Sequence, residues 1–383
     1  MKTSPNHIRT WVEIDSKAAK RNYDAFRRLL NHGSANRRRV QLWSVVKSNA
    51  YGHNVFAFSK LMARFGIDGL CVDSITEALA LRREGIKKPI LVLGFTLPSR
   101  YADAATHKII VSISNFEALR ALATARHIPD FHIKIDTGMH RQGFYLRDIP
   151  KVIALLAARN SRLGKHCKGL FTHFAAAKNR RDTAYTDEQL KKYEAALALF
   201  EKAGFTKLLR HASATGGALL GPRYHLDAVR VGIGMYGVWP SEELRKQLSK
   251  KMPLHPVLAW RTVVSEVKSI KKGDSIGYDR TEAAPRTGKI AVLPIGYWHG
   301  LSRSLSSTGA VLINGARAKI LGRVSMDMAV VFLPQSANVG DVATIIGRDG
   351  KAVIGAEELA EKSGTTAYEF LTRLNPLMER MVK

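Results

Sequence analysis

Between residues 41 and 232 eight short apolar, often β-branched runs alternate with longer stretches, several of which carry apolar residues at helical spacing. The runs are QLWSVVK (41–47), LCVD (70–73), ILVL (90–93), IIVSI (109–113), FHIKID (131–136), KGLFTH (168–173), LRHAS (209–213) and AVRVG (228–232). Among the intervening stretches are VFAFSKLMARFG, FEALRALATA, IPKVIALLAARN and DEQLKKYEAALALFEKAG. In the last of these Leu190, Tyr193, Leu197 and Phe200 share one helical face, and Gly204 suits a helix stop. Strands joined through helices lie parallel, because a parallel return needs a crossover. Eight such units in roughly 200 residues predict a closed (β/α)8 TIM barrel, with an open doubly wound sheet as the alternative.

After Pro240 the texture changes. Segments such as LAWRTVVSEVKSI, KIAVLPIGYW, RAKILGRVSM and MAVVFL are short, alternating and separated by Gly, Asp or Asn, which predicts a mostly β C-terminal domain. Asn314-Gly315 and Asp349-Gly350 are hairpin-turn signals, and a helix is expected over 355–362. The predicted domains are therefore a barrel over 15–242 and a β-rich domain over 243–383. WVEID (11–15) makes residues 1–14 a candidate to join the second domain's sheet.

Lys and Arg total 60 against 32 Asp and Glu, a formal charge of +28. That balance suits an anionic partner, but the basic residues are spread along the chain and no nucleic-acid-binding signature accompanies them. A generally basic surface is the preferred reading. Cys71 and Cys167 lack disulfide or metal-ligand spacing, so no metal is expected. The longest apolar run, Val152 to Ala158, is too short to span a bilayer, and the N-terminal residues lack a signal-peptide core. The expected compartment is the cytoplasm, with no membrane partner.

Barrels of this kind carry their chemistry at the C-terminal ends of the strands. Lys47, Arg141, His173, His211 and Arg230 all fall there. Singly, each has an ordinary explanation: a solvated lysine, an arginine paired with an acid, a packing histidine. The shared placement carries the functional reading.

At these positions the chain resembles the alanine racemase family. VVKSNAYGHN (45–54) looks like that family's cofactor-lysine motif, and KIDTGMHRQGF (134–144), GLFTHFA (169–175) and VRVGIGMYG (229–237) resemble its later barrel motifs. SIGYDR (275–280), LPIGYWHG (293–300), GRVSMDM (322–328) and AYEFLTRLNP (367–376) continue the match almost to the end of the chain. The resemblance implies pyridoxal 5'-phosphate held by Lys47, with its phosphate at Tyr51, Thr215, Gly232, Ile233 and Tyr368. It implies Arg230 opposite the pyridine nitrogen; because Arg offers only donors, that nitrogen stays unprotonated and the electron sink is weakened. It further implies two bases on opposite faces of the substrate, Lys47 and Tyr278. Tyr278 would come from a partner subunit in a homodimer and connect through His173 to Arg230. Arg141 would hold the substrate carboxylate, helped by the backbone near Met326 from the partner subunit; Tyr297 would line the substrate entrance, and Lys134 aligns with a lysine carbamylated in some members.

The chain departs from the family pattern at His140, at Asp279, at WHG (298–300) and at HASAT (211–215). These departures remove none of the implied groups but alter the pocket rim. The expected activity is interconversion of L- and D-alanine, supplying peptidoglycan. The alternatives are a racemase acting on serine, lysine or arginine, and a non-catalytic basic binding protein. A barrel-type decarboxylase ranks lower, because Arg230 argues against the strong electron sink that reaction uses.

Overall fold

The computed structural model describes residues 7–31, 39–159 and 161–383. After β1 (Thr10–Ile14) come eight strands: β2 (Gln41–Val45), β3 (Gly69–Val72), β4 (Ile90–Val92), β5 (Ile109–Ile113), β6 (Phe131–Lys134), β7 (Cys167–Phe171), β8 (Leu209–His211) and β9 (Ala228–Val231). All eight pair in parallel and in chain order, and β9 returns to β2 with Trp43 opposite Arg230. The expected closed barrel is therefore formed, and the open-sheet alternative falls away. Some of its helices start at a polar capping side chain. Ser74 accepts from the Glu77 amide ahead of the helix Ile75–Arg83, and Asn115 accepts from the Ala118 amide ahead of Phe116–Thr124.

Barrels of this type usually fill their interior with branched aliphatic side chains. Here rings occupy much of it. A Cβ on Gly69 would come within 2.5 Å of the Trp43 indole, and one on Gly169 within 2.9 Å of the His132 imidazole. The two glycines leave the space these rings fill.

Along the rest of the chain the strands are β10 (Leu258–Val263), β11 (Glu266–Ile270), β12 (Ser275–Ile276), β13 (Glu282–Ala283), β14 (Gly288–Leu293), β15 (Ala310–Ile313), β16 (Ala316–Leu321), β17 (Ala329–Leu333), β18 (Val342–Asp349), β19 (Ala352–Ile354) and β20 (Glu379–Val382). Ten strands form one sheet in the order β11-β14-β17-β16-β15-β18-β10-β1-β20, with β19 on β18. As the sequence suggested, β1 joins this sheet, antiparallel to β10 and parallel to β20. Ile270, Ile276, Ala284, Ile290, Leu321 and Phe332 form one of its buried clusters.

By internal contacts the chain divides into two compact units. One holds the described residues up to Ala19, then Asn49–Asn54 and Pro256–Lys383; the other holds those of Lys20–Ser48 and Val55–His255. A helix over Glu242–Leu248, which the sequence reading did not anticipate, belongs to the barrel unit. Both cysteines are buried and unpaired. No helix among the described residues is long and apolar enough to cross a membrane.

Candidate active site

Lys47 lies two residues past the end of β2, and its ammonium lies 3.1 Å from Asp73, which follows β3. Glu77 ties the two strand ends together, accepting from the Ser48 amide at 2.7 Å and the Asp73 amide at 2.8 Å. Beyond the lysine the backbone turns left-handed. Ser48, Asn49, Ala50 and Tyr51 have φ between 52° and 55°. Non-glycine residues avoid this region, at about 1–2 kcal/mol each, so a run of four requires outside support.

That support comes from the C-terminal part of the chain, with which 49–54 form one unit. Gly52 (φ +82°) packs so closely that a Cβ would sit 2.2 Å from the Leu371 carbonyl oxygen, and Arg380 Nε donates to the Gly52 carbonyl at 2.8 Å. His53 Nδ1 lies 3.1 and 2.9 Å from the Ala50 and Tyr51 carbonyls, so it carries the proton and donates to both. Burial pushes the His53 pKa down to about 4. Tyr51 and Tyr368 bring their ring centroids to 6.1 Å. The sequence motif names Lys47 and Tyr51, but nothing in it signals the handedness of the turn between them.

Arg230, on β9, is 2% exposed. Its guanidinium donates to the carbonyls of Thr172 and Ala212, both at 2.8 Å, and to Nδ1 of His211. It lies 3.4 Å from His173 Nδ1 and 5.2 Å above the Phe171 ring. No carboxylate among the described residues is within ion-pair distance of it. Burial lowers its pKa to about 10, still far above neutrality. A buried cation satisfied only by neutral acceptors is unusual, because uncompensated buried charge is costly.

Around it the barrel is electropositive. Lys134, 6% exposed, donates to Gln142 at 2.9 Å, and burial, then Arg141 and Arg230, push its pKa down to about 8. Burial, then Arg230, push His173 down to about 3, so its imidazole is neutral. Lys134, Arg141 and His173 line one small cavity. Asp136 shapes the loop bearing Arg141, its carboxylate accepting from the amides of Gly138 (2.9 Å), His140 (3.0 Å) and Arg141 (3.1 Å). Sequence reasoning missed Asp136, although an Asp two residues before a Gly is a turn signal.

Thr215 opens a short helix after β8 and is 3% exposed. The Gly232 and Gly234 amides reach its hydroxyl at 3.1 and 3.3 Å, and Ile233 begins the tight turn between them. His211 is the last residue of β8 and lies in the barrel interior at 2% exposure, between Arg230 and His132. His132 was not singled out from sequence. The alternation in FHIK would have done so, since it sets His132 and Lys134 on the same face of β6.

In the other unit Tyr278 is 67% exposed, at a turn where Asp279 and Arg280 have φ of 59° and 51° and Asp279 pairs with Arg323. Tyr297 and Met326 are also exposed and adjacent. The Tyr297 amide donates to Ser325 and the Trp298 amide to Met326, each at 3.0 Å. Gly296 makes this contact possible, since a Cβ there would lie 2.2 Å from the Ser325 carbonyl oxygen.

Residues 14–240 match the family model for the alanine racemase N-terminal domain, and 257–382 match that for the C-terminal domain. The alanine racemase of Leptospira interrogans serovar Lai is 35% identical over 97% of this chain and 95% of its own length. That of Methanococcus maripaludis is 35% identical over 97% and 98%. Among solved structures, the Bacillus anthracis alanine racemase with bound L-Ala-P superposes at a TM-score of 0.89, with 33% identity, covering 99% of this chain and 96% of that one. The Streptomyces lavendulae alanine racemase gives 0.88 and 30%, covering 99% and 98%.

Proposed function

Because the chain belongs to the alanine racemase family, we propose that it interconverts L- and D-alanine by a two-base mechanism, with pyridoxal 5'-phosphate held by Lys47. The observation that carries this is Arg230: a buried donor with no acid partner suits an unprotonated ring nitrogen as its remaining acceptor. The amides converging at Thr215 suit a phosphate in the same way. Bound pyridoxal phosphate would supply an electron sink that acidifies the substrate's Cα–H.

The remaining chemistry belongs to side chains. Lys47 Nζ moves the Cα proton on one face, and Asp73 holds the ammonium whenever the lysine is free. On the other face the base is the Tyr278 phenol of a second copy of the chain, in a homodimer with shared sites. A phenol near pKa ~10 needs help to act close to neutrality. His173 gives it: with Nδ1 turned to Arg230 as acceptor, the neutral ring keeps Nε2–H as a donor for a phenolate. Arg141 forks onto the substrate carboxylate, helped by the backbone near Met326 of the second copy, and Tyr297 lines the entrance. Tyr51, Thr215, the Gly232 and Ile233 amides and Tyr368 hold the phosphate.

In this reading the enzyme works in the cytoplasm to supply D-alanine for peptidoglycan. Racemisation rates across a panel of L-amino acids test it. Alanine is expected to turn over fastest; slow alanine beside fast serine, lysine or arginine would reject it in favour of a racemase of other preference. A chain that takes up no cofactor, with no visible absorption band, would point instead to a non-catalytic binding protein.

A further inference from the structure

The interior of the barrel carries a directed chain of hydrogen bonds that begins at Arg230 and ends two side chains away. Nη1 of Arg230 meets Nδ1 of His211, and Nε2 of His211 meets Nδ1 of His132 at 2.8 Å. All three residues are 1–2% exposed. His211 also stacks on Phe171, at a centroid distance of 4.9 Å and an interplanar angle of 4°.

The protons along this chain can be assigned from one fact, that a guanidinium only donates. Facing it, Nδ1 of His211 must be the bare nitrogen, so the neutral ring carries its proton on Nε2. That proton points at Nδ1 of His132, which must also be bare, leaving the His132 proton on Nε2. Reversing either ring would set two donors face to face. Burial and the Arg230 charge push His132 down to about 3 and His211 well below its ordinary value, so both rings stay neutral and keep these lone pairs.

The fold makes room for the chain at one position. His132 lies on β6 and His211 on β8, with β7 between them, and the residue of β7 opposite His132 is Gly169. A Cβ at Gly169 would come within 2.9 Å of two His132 ring carbons. The glycine lets the imidazole cross the neighbouring strand and reach its partner.

We propose that His132 is a positioning residue for the racemase: by accepting from His211 it fixes the tautomer whose lone pair holds the Arg230 guanidinium in place. Its effect on turnover rests on the reading of Arg230 as the partner of the cofactor ring; its effect on tautomer does not. His132→Asn keeps an acceptor oxygen near the position of Nδ1, whereas His132→Phe fills the space and accepts nothing.

The test uses ¹⁵N-histidine-labelled holoenzyme, in which the shifts of the ring nitrogens report the tautomer, together with steady-state kinetics. In the wild type, His211 and His132 are expected neutral and Nε2-protonated. His132→Asn should keep the His211 tautomer and most of kcat. His132→Phe should lose that tautomer and lower kcat by about tenfold, with KM changed far less. His211 protonated on Nδ1, or cationic, in the wild type would overturn the proposal even if His132→Phe did not fold. The expected tautomers with full turnover in His132→Phe would overturn it as well, and would leave the cofactor role of Arg230 standing. That role is read separately, from the shift of the cofactor's absorption band in Arg230→Glu.

Discussion

Tyr278 and Arg230 are opposite cases of how a residue's surroundings decide its work. Arg230 is enclosed by carbonyl oxygens and by imidazole nitrogens that turn their bare lone pairs toward it, so its charge is kept and its direction is set. Tyr278 is 67% exposed in a single chain, which is where a phenol serving a neighbouring subunit would stand. Replacing Tyr278 with Phe should leave cofactor uptake intact, as read by absorbance. Racemisation should fall by about 10²–10⁴-fold, the usual contribution of one positioned acid–base group. Near-normal turnover in that variant would remove Tyr278 from the mechanism.

At the scale of elements, glycines decide what the barrel can contain. Gly69 faces the Trp43 indole across the β2–β3 pair, leaving no room for a side chain. Gly69→Ala should therefore destabilise by about 1–3 kcal/mol, as overpacked cores do, and Trp43→Phe in the same chain should recover part of that loss. Denaturant unfolding of the single and double variants measures both, and strictly additive losses would show that the contact is not the cause. Turn chemistry was well written in the sequence: Asn314 (φ 50°) and Gly315 (φ 80°) join β15 to β16 as the Asn-Gly signal implied. The left-handed run 48–51 was not, because among its four residues only Asn49 adopts that conformation readily, and Ser, Ala and Tyr have no local reason to follow it. It is held by contacts with residues more than three hundred positions away, among them Leu371 and Arg380.

For the molecule as a whole, the proposal that a second copy completes each site has a consequence for mixtures. Lys47→Ala and Tyr278→Phe homodimers should each be nearly inactive. After joint unfolding and refolding, mixed dimers hold one site with both lesions and one with neither, so up to about a quarter of wild-type activity should return. A mixture as inactive as its parents would mean that each site draws both bases from one chain.

Acid should also destabilise the fold as a unit. His53, His132 and His211 are held neutral, with pKa about 4, about 3 and well below the ordinary value. Below about pH 6.5 the unfolded chain binds protons at these histidines that the folded chain does not. Stability therefore falls as the pH drops toward the folded values, by about 1.4 kcal/mol per pH unit for each histidine. Glu13, held near 2 despite its burial by Lys383, Trp11 and Arg261, adds a loss in the same direction below about pH 4.5. Unfolding free energies that stay level between about pH 6.5 and pH 5 would contradict this.

The alternation of short apolar runs with amphipathic stretches was enough to predict eight parallel strands and the β-rich remainder, because strand and helix periodicity are properties of neighbouring residues; closure of those strands into a barrel, favoured by their number, was decided by the pairing of β9 with β2. The positions of Lys47 and Arg230 at strand ends were legible in the same way, whereas Tyr51, Thr215, Tyr278, Tyr297, Met326 and Tyr368 were marked only by their motifs' resemblance to the family. Only the tertiary structure decided that His211 and His132 join Arg230 inside the barrel. It also set four residues after Lys47 in a left-handed turn and left Tyr278 facing outward. Those outcomes depend on which inward faces meet across a closed sheet, and on distant atoms that fill or leave a gap, and no local run of residues encodes them.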